Sequence, residues 1–428
     1  MVGFDLPARH RRRLAREAVD LGRALFTQAL IQALTALSGI LIVRALDPRE
    51  YAYYTIAAAA ITAMAALSNG GILEGMSAAG ARKPTDPNRL AALVETATSL
   101  RTTLALAIGL PIAVSAILML AWNGAPIGTI IPLVLAVVLV NLGELSWSVL
   151  YLVPWLGRRI PELQMVELQG SLARFAACAI LPLCAPRADL AVLCAAVGFG
   201  VQIHLLRRRR LVPQPTQPVV PDPALRRELV SVLRRQWPNE INTLVQSQIV
   251  LWLLTACAGA ADVAAFGALG RITIVFGIIL QALHRTMLGR YAGLQSRGTA
   301  LRVYAAVIGA FLLLAAVPLS LFIAFPRPVL HLFGHHYIHL VDEFRLFAIY
   351  ALLSSLATLT LWLNSTRAWI MPAAFRIAYQ SASLLGFVLL FGAGSLSGVL
   401  MAGIAVNLML IAANFAYTLS RLREMAPA

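Results

Sequence analysis

Charge is scarce in this chain, and acidic charge is scarcest. Only 13% of the 428 residues are Asp, Glu, Lys or Arg, with 19 acids against 35 basic residues. Soluble domains carry about a quarter charged residues, so there is too little polar material for a second, water-soluble domain. Cysteine is also rare. Its four copies, Cys178, Cys184, Cys194 and Cys257, lie in or beside apolar stretches without CxxC spacing. Neither a disulfide scaffold nor a metal site is implied. There is no GxxxxGK[ST] loop to cradle a nucleotide, no Ser/His/Asp set is suggested, and no cofactor is expected. A cleavable signal peptide is not visible either. The Arg-rich start runs through an amphipathic stretch into the first long segment without a small-residue cleavage site.

What is present is apolar length. Hydrophobic residues make up 59% of the chain, and its mean hydropathy is +0.78. Twelve segments stand out: 24–44, 52–75, 99–121, 127–152, 163–185, 189–206, 238–258, 262–284, 301–325, 344–365, 368–392 and 395–418. Nearly all are long enough, as helix rising 1.5 Å per residue, to cross a hydrocarbon core of about 30 Å. A β-barrel is excluded, because barrel strands alternate apolar and polar whereas these runs are continuously apolar. Pro111, Pro182 and Pro318 are expected to kink their helices. The charges are sorted by side. Of the 35 Lys and Arg, 27 fall in the N-terminal tail, in alternate loops or at the segment ends beside them. The intervening loops hold Arg44, Arg49, Arg187, Arg327 and Arg345, and Arg174, Arg271 and Arg376 fall inside segments. That alternation is the positive-inside pattern of a polytopic protein with both termini cytoplasmic. The net charge of +16 then belongs to loops facing an anionic leaflet rather than to nucleic acid.

The main hydrophilic interruption, 207–237, opens with four arginines, continues through LVPQPTQPVVPDP and ends in a basic amphipathic stretch. It reads as a cytoplasmic linker. The expected organisation is a basic tail (1–23), a six-helix bundle (24–206), the linker, a second six-helix bundle (238–418) and a short tail (419–428). The halves resemble each other weakly. An offset of 212 superimposes Glu50 on Asp262 and Tyr54 on Phe266, at matching points of segments two and eight. Parallel repeats of this kind build many transporters, with the substrate path between the halves.

Three stretches carry a family resemblance. Ile42 to Tyr51 (IVRALDPREY), followed by Leu67 to Ile72 (LSNGGI), resembles the opening of Wzx-type polysaccharide flippases. These belong to the multidrug/oligosaccharidyl-lipid/polysaccharide (MOP) exporter superfamily. Gly259 to Arg271 (GAADVAAFGALGR) is similar to that family's approach to helix eight, and Leu332 to Tyr337 (LFGHHY) to the run before helix ten. The resemblance implies two bundles of six helices around a central cavity. It implies alternating access that carries a polyprenyl-pyrophosphate-linked oligosaccharide between leaflets, and a monomer. Membrane lipid, a polysaccharide polymerase and export machinery are the further partners expected. Many relatives carry an acid midway in helix seven, where this chain has Gln246, Ser247 and Gln248; that departure bears on ion coupling.

Ionisable groups at membrane depth cost several kcal/mol unless they meet a cavity or a partner. Arg174 lies mid-segment five, Arg376 in the inner half of segment eleven and Arg271 in the outer part of segment eight. A pyrophosphate-linked lipid needs fixed cations, and arginine's planar fork suits phosphate oxygens. A structural ion pair is the other reading, for instance Arg174 with Glu167 or Glu144. Glu144, the deepest acid, is a protonation site or an arginine's partner. Glu74 and Glu240, one from each half, sit near cytoplasmic ends, where they line an inner mouth or snorkel to water. Asn242, Gln246 and Gln248 in segment seven, and Tyr379 and Gln380 in segment eleven, suit sugar hydroxyls and rings, or helix–helix hydrogen bonds. Tyr51, Tyr53, Tyr54, Trp122 and Trp155 read as aromatic belt. His331, His335, His336 and His339 crowd one outer loop, where helical spacing of four would align three of them, but no cysteine completes a zinc site.

The expectation is therefore an all-α polytopic membrane protein of about twelve transmembrane helices, acting as a lipid-linked oligosaccharide flippase in the bacterial inner membrane. The first alternative is a drug/cation antiporter of the same superfamily, whose site should favour acids over arginines. A membrane polymerase or ligase would need a larger outer loop than 326–343, and a facilitator-type sugar transporter would need a different basic motif after segment two.

Overall fold

The computed structural model describes residues 8–81, 87–157, 159–212, 222–283, 291, 294, 296–367, 369, 371–392 and 394–424. Among these there are no strands and fifteen α-helices. In chain order they are α1 (Ala8–Ala45), α2 (Pro48–Asn69), α3 (Ile72–Ala81), α4 (Pro87–Trp122), α5 (Ile127–Leu156), α6 (Ile160–Cys184), α7 (Ala188–Arg208), α8 (Pro223–Cys257), α9 (Ala260–Leu269), α10 (Thr273–Leu283), α11 (Arg297–Ala324), α12 (Pro326–Phe333), α13 (Val341–Thr366), α14 (Ala373–Phe391) and α15 (Leu396–Arg423). Among the described residues, ten stretches are long and apolar enough to cross a membrane, and Phe375–Phe391 is a shorter apolar helix. Segment seven lies within α8, where several side chains, Gln246 and Gln248 among them, fall outside the described residues.

The helices run through Pro111, Pro182, Pro238 and Pro318. Breaks come elsewhere. Segment two stops at Asn69 because Gly70 and Gly71 take φ of 50° and 92°, backbone that glycine adopts at little steric cost, and α3 restarts beyond them. Segment eight is interrupted by a 3-10 turn, Gly270–Ile272, between α9 and α10. The apolar surface is extensive. Leu106, Leu110, Trp122, Ile127, Leu135, Leu313, Val317, Leu389 and Leu390 are all exposed, as helices facing lipid require.

Two compact units emerge, and they cut across the six-plus-six division of the sequence. The first comprises Met1–Leu41, Met64–Leu110 and Leu135–Gln236; the second comprises Ile42–Ala63, Pro111–Val134 and Trp237–Ala428. In the first unit, a core forms around Met76, Leu93, Val149, Leu152, Leu163, Leu206 and Leu229. It draws on α3, the start of α4, the end of α5 and the first turns of α8. There α6 and α7 approach closely through glycine. A Cβ on Gly170 would collide with the Gln202 side chain, and one on Gly198 would lie 3.2 Å from the Gly170 carbonyl. Small residues at such crossings let helices gain dispersion contacts in lipid, where no hydrophobic drive separates helix from solvent.

In the second unit, α13 and α15 are tied by a buried polar ladder. Thr418 Oγ1 donates to Asn364 Oδ1 (2.7 Å), Asn364 Nδ2 to the Asn414 carbonyl (3.2 Å), and Asn414 Nδ2 to Thr360 Oγ1 (3.0 Å). Gly403 of α15 admits the Tyr350 ring of α13, which a Cβ would meet at 2.7 Å.

Candidate functional site

The three arginines inside the segments end in different surroundings. Arg271 sits in the 3-10 turn between α9 and α10. Its Nε and Nη2 both donate to Tyr51 Oη, each at 3.2 Å, and its guanidinium lies 5.6 Å from the centre of the Tyr54 ring. Tyr51 stacks on Tyr54 and meets Tyr337 edge-on. Burial pushes the Tyr337 phenol above the ordinary tyrosine range, with Tyr51 and Asp47 adding to the effect, so it stays neutral. The cluster joins α2 to elements from the far end of the sequence, all within the second unit. Nearby, α2 and α9 touch so closely that a Cβ on Gly267 would collide with the Thr55 side chain. Arg44 Nη2 reaches the His331 carbonyl (3.3 Å) and Arg49 Nη2 the Gly124 carbonyl (2.8 Å). The arginine-poor ends of α1 and α2 are thereby laced to that unit. Tyr51 and Tyr53, expected in an interfacial belt, are buried at 0% and 2% exposure.

Arg376 lies one turn into α14 and is only 8% exposed. It has no ion-pair or side-chain hydrogen-bond partner among the described residues. Tyr379 and Gln380, three and four positions on, share its helical face. Tyr379 packs against the apolar cluster of Ala357, Val406 and Leu410, and its hydroxyl donates to the Met409 carbonyl (3.1 Å). Gln380 is buried. Asn242, on α8, is buried as well, and its Nδ2 has no acceptor among the described residues.

Arg174, in the first unit, packs its Cβ against Gly198 and its guanidinium lies beside the Cys178 thiol. It does not pair with Glu144. The cation acting on Glu144 is Arg101, which the segment boundaries had placed at a helix end. Helix α4 in fact begins twelve residues before position 99, and Arg101 is 2% exposed. Its Nη1 donates to Ser148 Oγ and its Nη2 to Ser68 Oγ (3.4 Å). The signal in the sequence was a lone arginine flanked by Ser99, Thr102 and Thr103, on a helix also carrying buried Thr96. Glu240 is half-buried and partnered. The side chains of Glu74, Gln246 and Gln248 lie outside the described residues.

The outer-loop histidines do not share a helical face. Helix α12 ends at Phe333, Gly334 takes φ of 110°, and His335 and His336 fall in a separate 3-10 turn with ring centres 3.8 Å apart. No three His, Cys, Asp or Glu side chains converge as a metal site among the described residues.

No family model matches the sequence, and no curated protein matches it. Solved structures do. The chain is similar to the inward-facing conformation of a multidrug resistance MATE family transporter of the MOP superfamily, at 14% identity over 94% of this chain and 99% of that one, with a TM-score of 0.72. It is similar to an outward-facing conformation of such a transporter at 14% identity, over 94% of each chain, with a TM-score of 0.66. A MOP superfamily transporter from Pyrococcus furiosus, described by a reversed polarity of its binding pocket that suggests a different function, matches at 14% identity over 94% of each chain, with a TM-score of 0.60. At such identities the likeness is one of fold. The chain therefore has the all-α, many-helix fold of these solved structures.

Proposed function

We propose that this protein is a flippase that moves a polyprenyl-pyrophosphate-linked oligosaccharide from the inner to the outer leaflet of a bacterial inner membrane, with both termini cytoplasmic. The observation that carries the reading is Arg376, a buried guanidinium without an anionic partner among the described residues. A charge held this way at membrane depth is costly unless a ligand completes it, and a diphosphate does so with bidentate geometry. Tyr379 and Gln380 on the same face, with Asn242, Gln246 and Gln248 on α8, would serve the sugar. Arg271, engaged by Tyr51 and Tyr54, would close the arginine-poor end here and be released for the diphosphate when that end opens. Arg174 would contribute positive potential to the path. Glu144 with Arg101 is the candidate coupling pair, and Glu74 and Glu240 would line the arginine-rich mouth. Access to this path would alternate between the two leaflets, handing product to a polymerase and export machinery.

The second reading is a MATE-like drug antiporter, favoured by what the similar structures are described as carrying out, multidrug resistance. A cationic drug needs buried acid. The deepest acid of this chain, Glu144, already faces Arg101, which favours an anionic cargo. The test is deletion of the gene with quantification of lipid-linked oligosaccharide on each face of the inner membrane. Completed units accumulating on the cytoplasmic face, with surface polymer lost, support the flippase. Normal polymer without accumulation supports the antiporter, and units accumulating on the outer face support a polymerase or ligase.

A further inference from the structure

The first fourteen residues of α8, 223–236, form a platform within the first unit. Its inner face is fastened. Leu225 and Leu229 are buried, and Leu229 and Val232 press on α3 where a Cβ at Gly75 would meet them at 2.9 and 3.4 Å. At the start, the Asp222 backbone N–H donates to Thr96 Oγ1 (3.0 Å), while its carboxylate accepts from the Ala224 N–H (2.7 Å) and so caps the helix. At the far end, Gln236 crowds Gly71.

The outer face carries Arg226, Arg227, Arg234 and Arg235, all exposed. Arg227 and Arg235 reach only backbone carbonyls of their own helix, those of Pro223 and Ser231. None of the four has an ion-pair partner among the described residues. Arg226, Val230 and Arg234 follow at spacings of four, with Arg227 and Ser231 beside them, and together with Pro223 they line one groove of about 590 Å³. Like charges at helical spacing repel one another. Helical periodicity puts these side chains on one face of α8, where Val230 lies between the guanidinium groups of Arg226, Arg227 and Arg234.

The platform's position selects the anion. Helix α8 is continuous for 35 residues, about 52 Å at 1.5 Å per residue, against a hydrocarbon core of about 30 Å. With segment seven (238–258) crossing the core, as the sequence predicts, the arginine-bearing first turns of the same helix would stand beyond it, where phosphate headgroups lie. Guanidinium forks match phosphate oxygens, and basic segments at this level are drawn to anionic leaflets. We propose that this groove holds the phosphate headgroup of an anionic membrane phospholipid, fastening the linker helix to the arginine-rich face of the membrane. The proposal is independent of the cargo and requires only that the chain spans a membrane.

The full-length protein, purified in detergent, would be titrated with phosphatidylglycerol or phosphatidylcholine and the retained lipid counted by native mass spectrometry. Phosphatidylglycerol should bind the wild type, and the triple variant R226Q/R227Q/R234Q about a hundredfold more weakly. The charge-matched control R208Q/R297Q/R302Q should bind as the wild type does, and R226K/R227K/R234K should retain part of the binding. Size-exclusion profiles identify misfolded variants, in which case the single variants R226Q and R234Q carry the test. Equal loss in the control, or no loss in the triple variant, overturns the groove. Competition by inorganic phosphate at the same concentration shows a free-anion site instead. Preference for a polyprenyl diphosphate over phosphatidylglycerol shows a loading site for cargo instead.

Discussion

Arg101 and Arg376 are both arginines that the fold withdraws from water, at 2% and 8% exposure, yet their environments are opposite. Arg101 is embraced. Ser148, Ser68 and the Leu145 carbonyl accept from it, and Glu144 supplies negative charge. Arg376 sits one turn into α14 with no anion beside it among the described residues. Arg271 falls on the first side of the comparison, its donors taken by Tyr51 and its face by Tyr54. A buried charge that is satisfied holds structure together. One without a partner among the described residues carries a desolvation cost that an anionic ligand would offset.

The largest effect is expected at Arg376. Arg376→Ala should abolish transport while leaving the melting transition in detergent unchanged or raised, because removing an uncompensated buried charge relieves a cost. A parallel loss of stability and transport would place Arg376 with Arg101. Arg101→Ala should do the reverse. It strips Glu144 of its cation and leaves Ser148 and Ser68 without their donor, at a cost of about 3 kcal/mol, seen as lowered thermal stability of the purified protein. Tyr51→Phe removes the one oxygen that accepts two guanidinium N–H groups and should destabilise by about 2 kcal/mol; Tyr54→Phe, which keeps the ring under the cation, should cost less. The smallest effect belongs to the neutral ladder. Thr418→Val should cost about 0.6 kcal/mol, the usual worth of an interhelical hydrogen bond in lipid, and should leave transport intact.

Much of the fold was legible from hydropathy alone, because continuous apolar runs of helical length have few other solutions. The break between α2 and α3 was legible too, in the turn signal Asn69-Gly70-Gly71, but length made segment two read as continuous. The 3-10 interruption at Gly270 had no comparable signal, since apolar sequence flows through it on both sides. Arg101 was missed for a physical reason. Apolar counting starts a segment where charge ends, whereas α4 begins at Pro87 and carries the arginine inside. Tyr51 and Tyr53 were misplaced because belt and buried tyrosines look alike in sequence; only the partner across the fold, Arg271 for Tyr51 and Arg49 for Tyr53, separates them. The pairing of Glu144 followed from the same gap, because the arginine that meets it was counted as surface. The histidine loop turned on one residue, Gly334, whose φ of 110° ends the helix that would have aligned the rings.

On the proposed function, the buried guanidinium of α14 receives the cargo's diphosphate. The most direct measurement is flipping of a polyprenyl-diphosphate oligosaccharide in proteoliposomes containing wild type, Arg376→Lys or Arg376→Ala, with the melting temperature of each recorded alongside. Full flipping, partial flipping and none are expected, in that order, at equal stability. Full flipping by a stably folded Arg376→Ala protein would contradict that function.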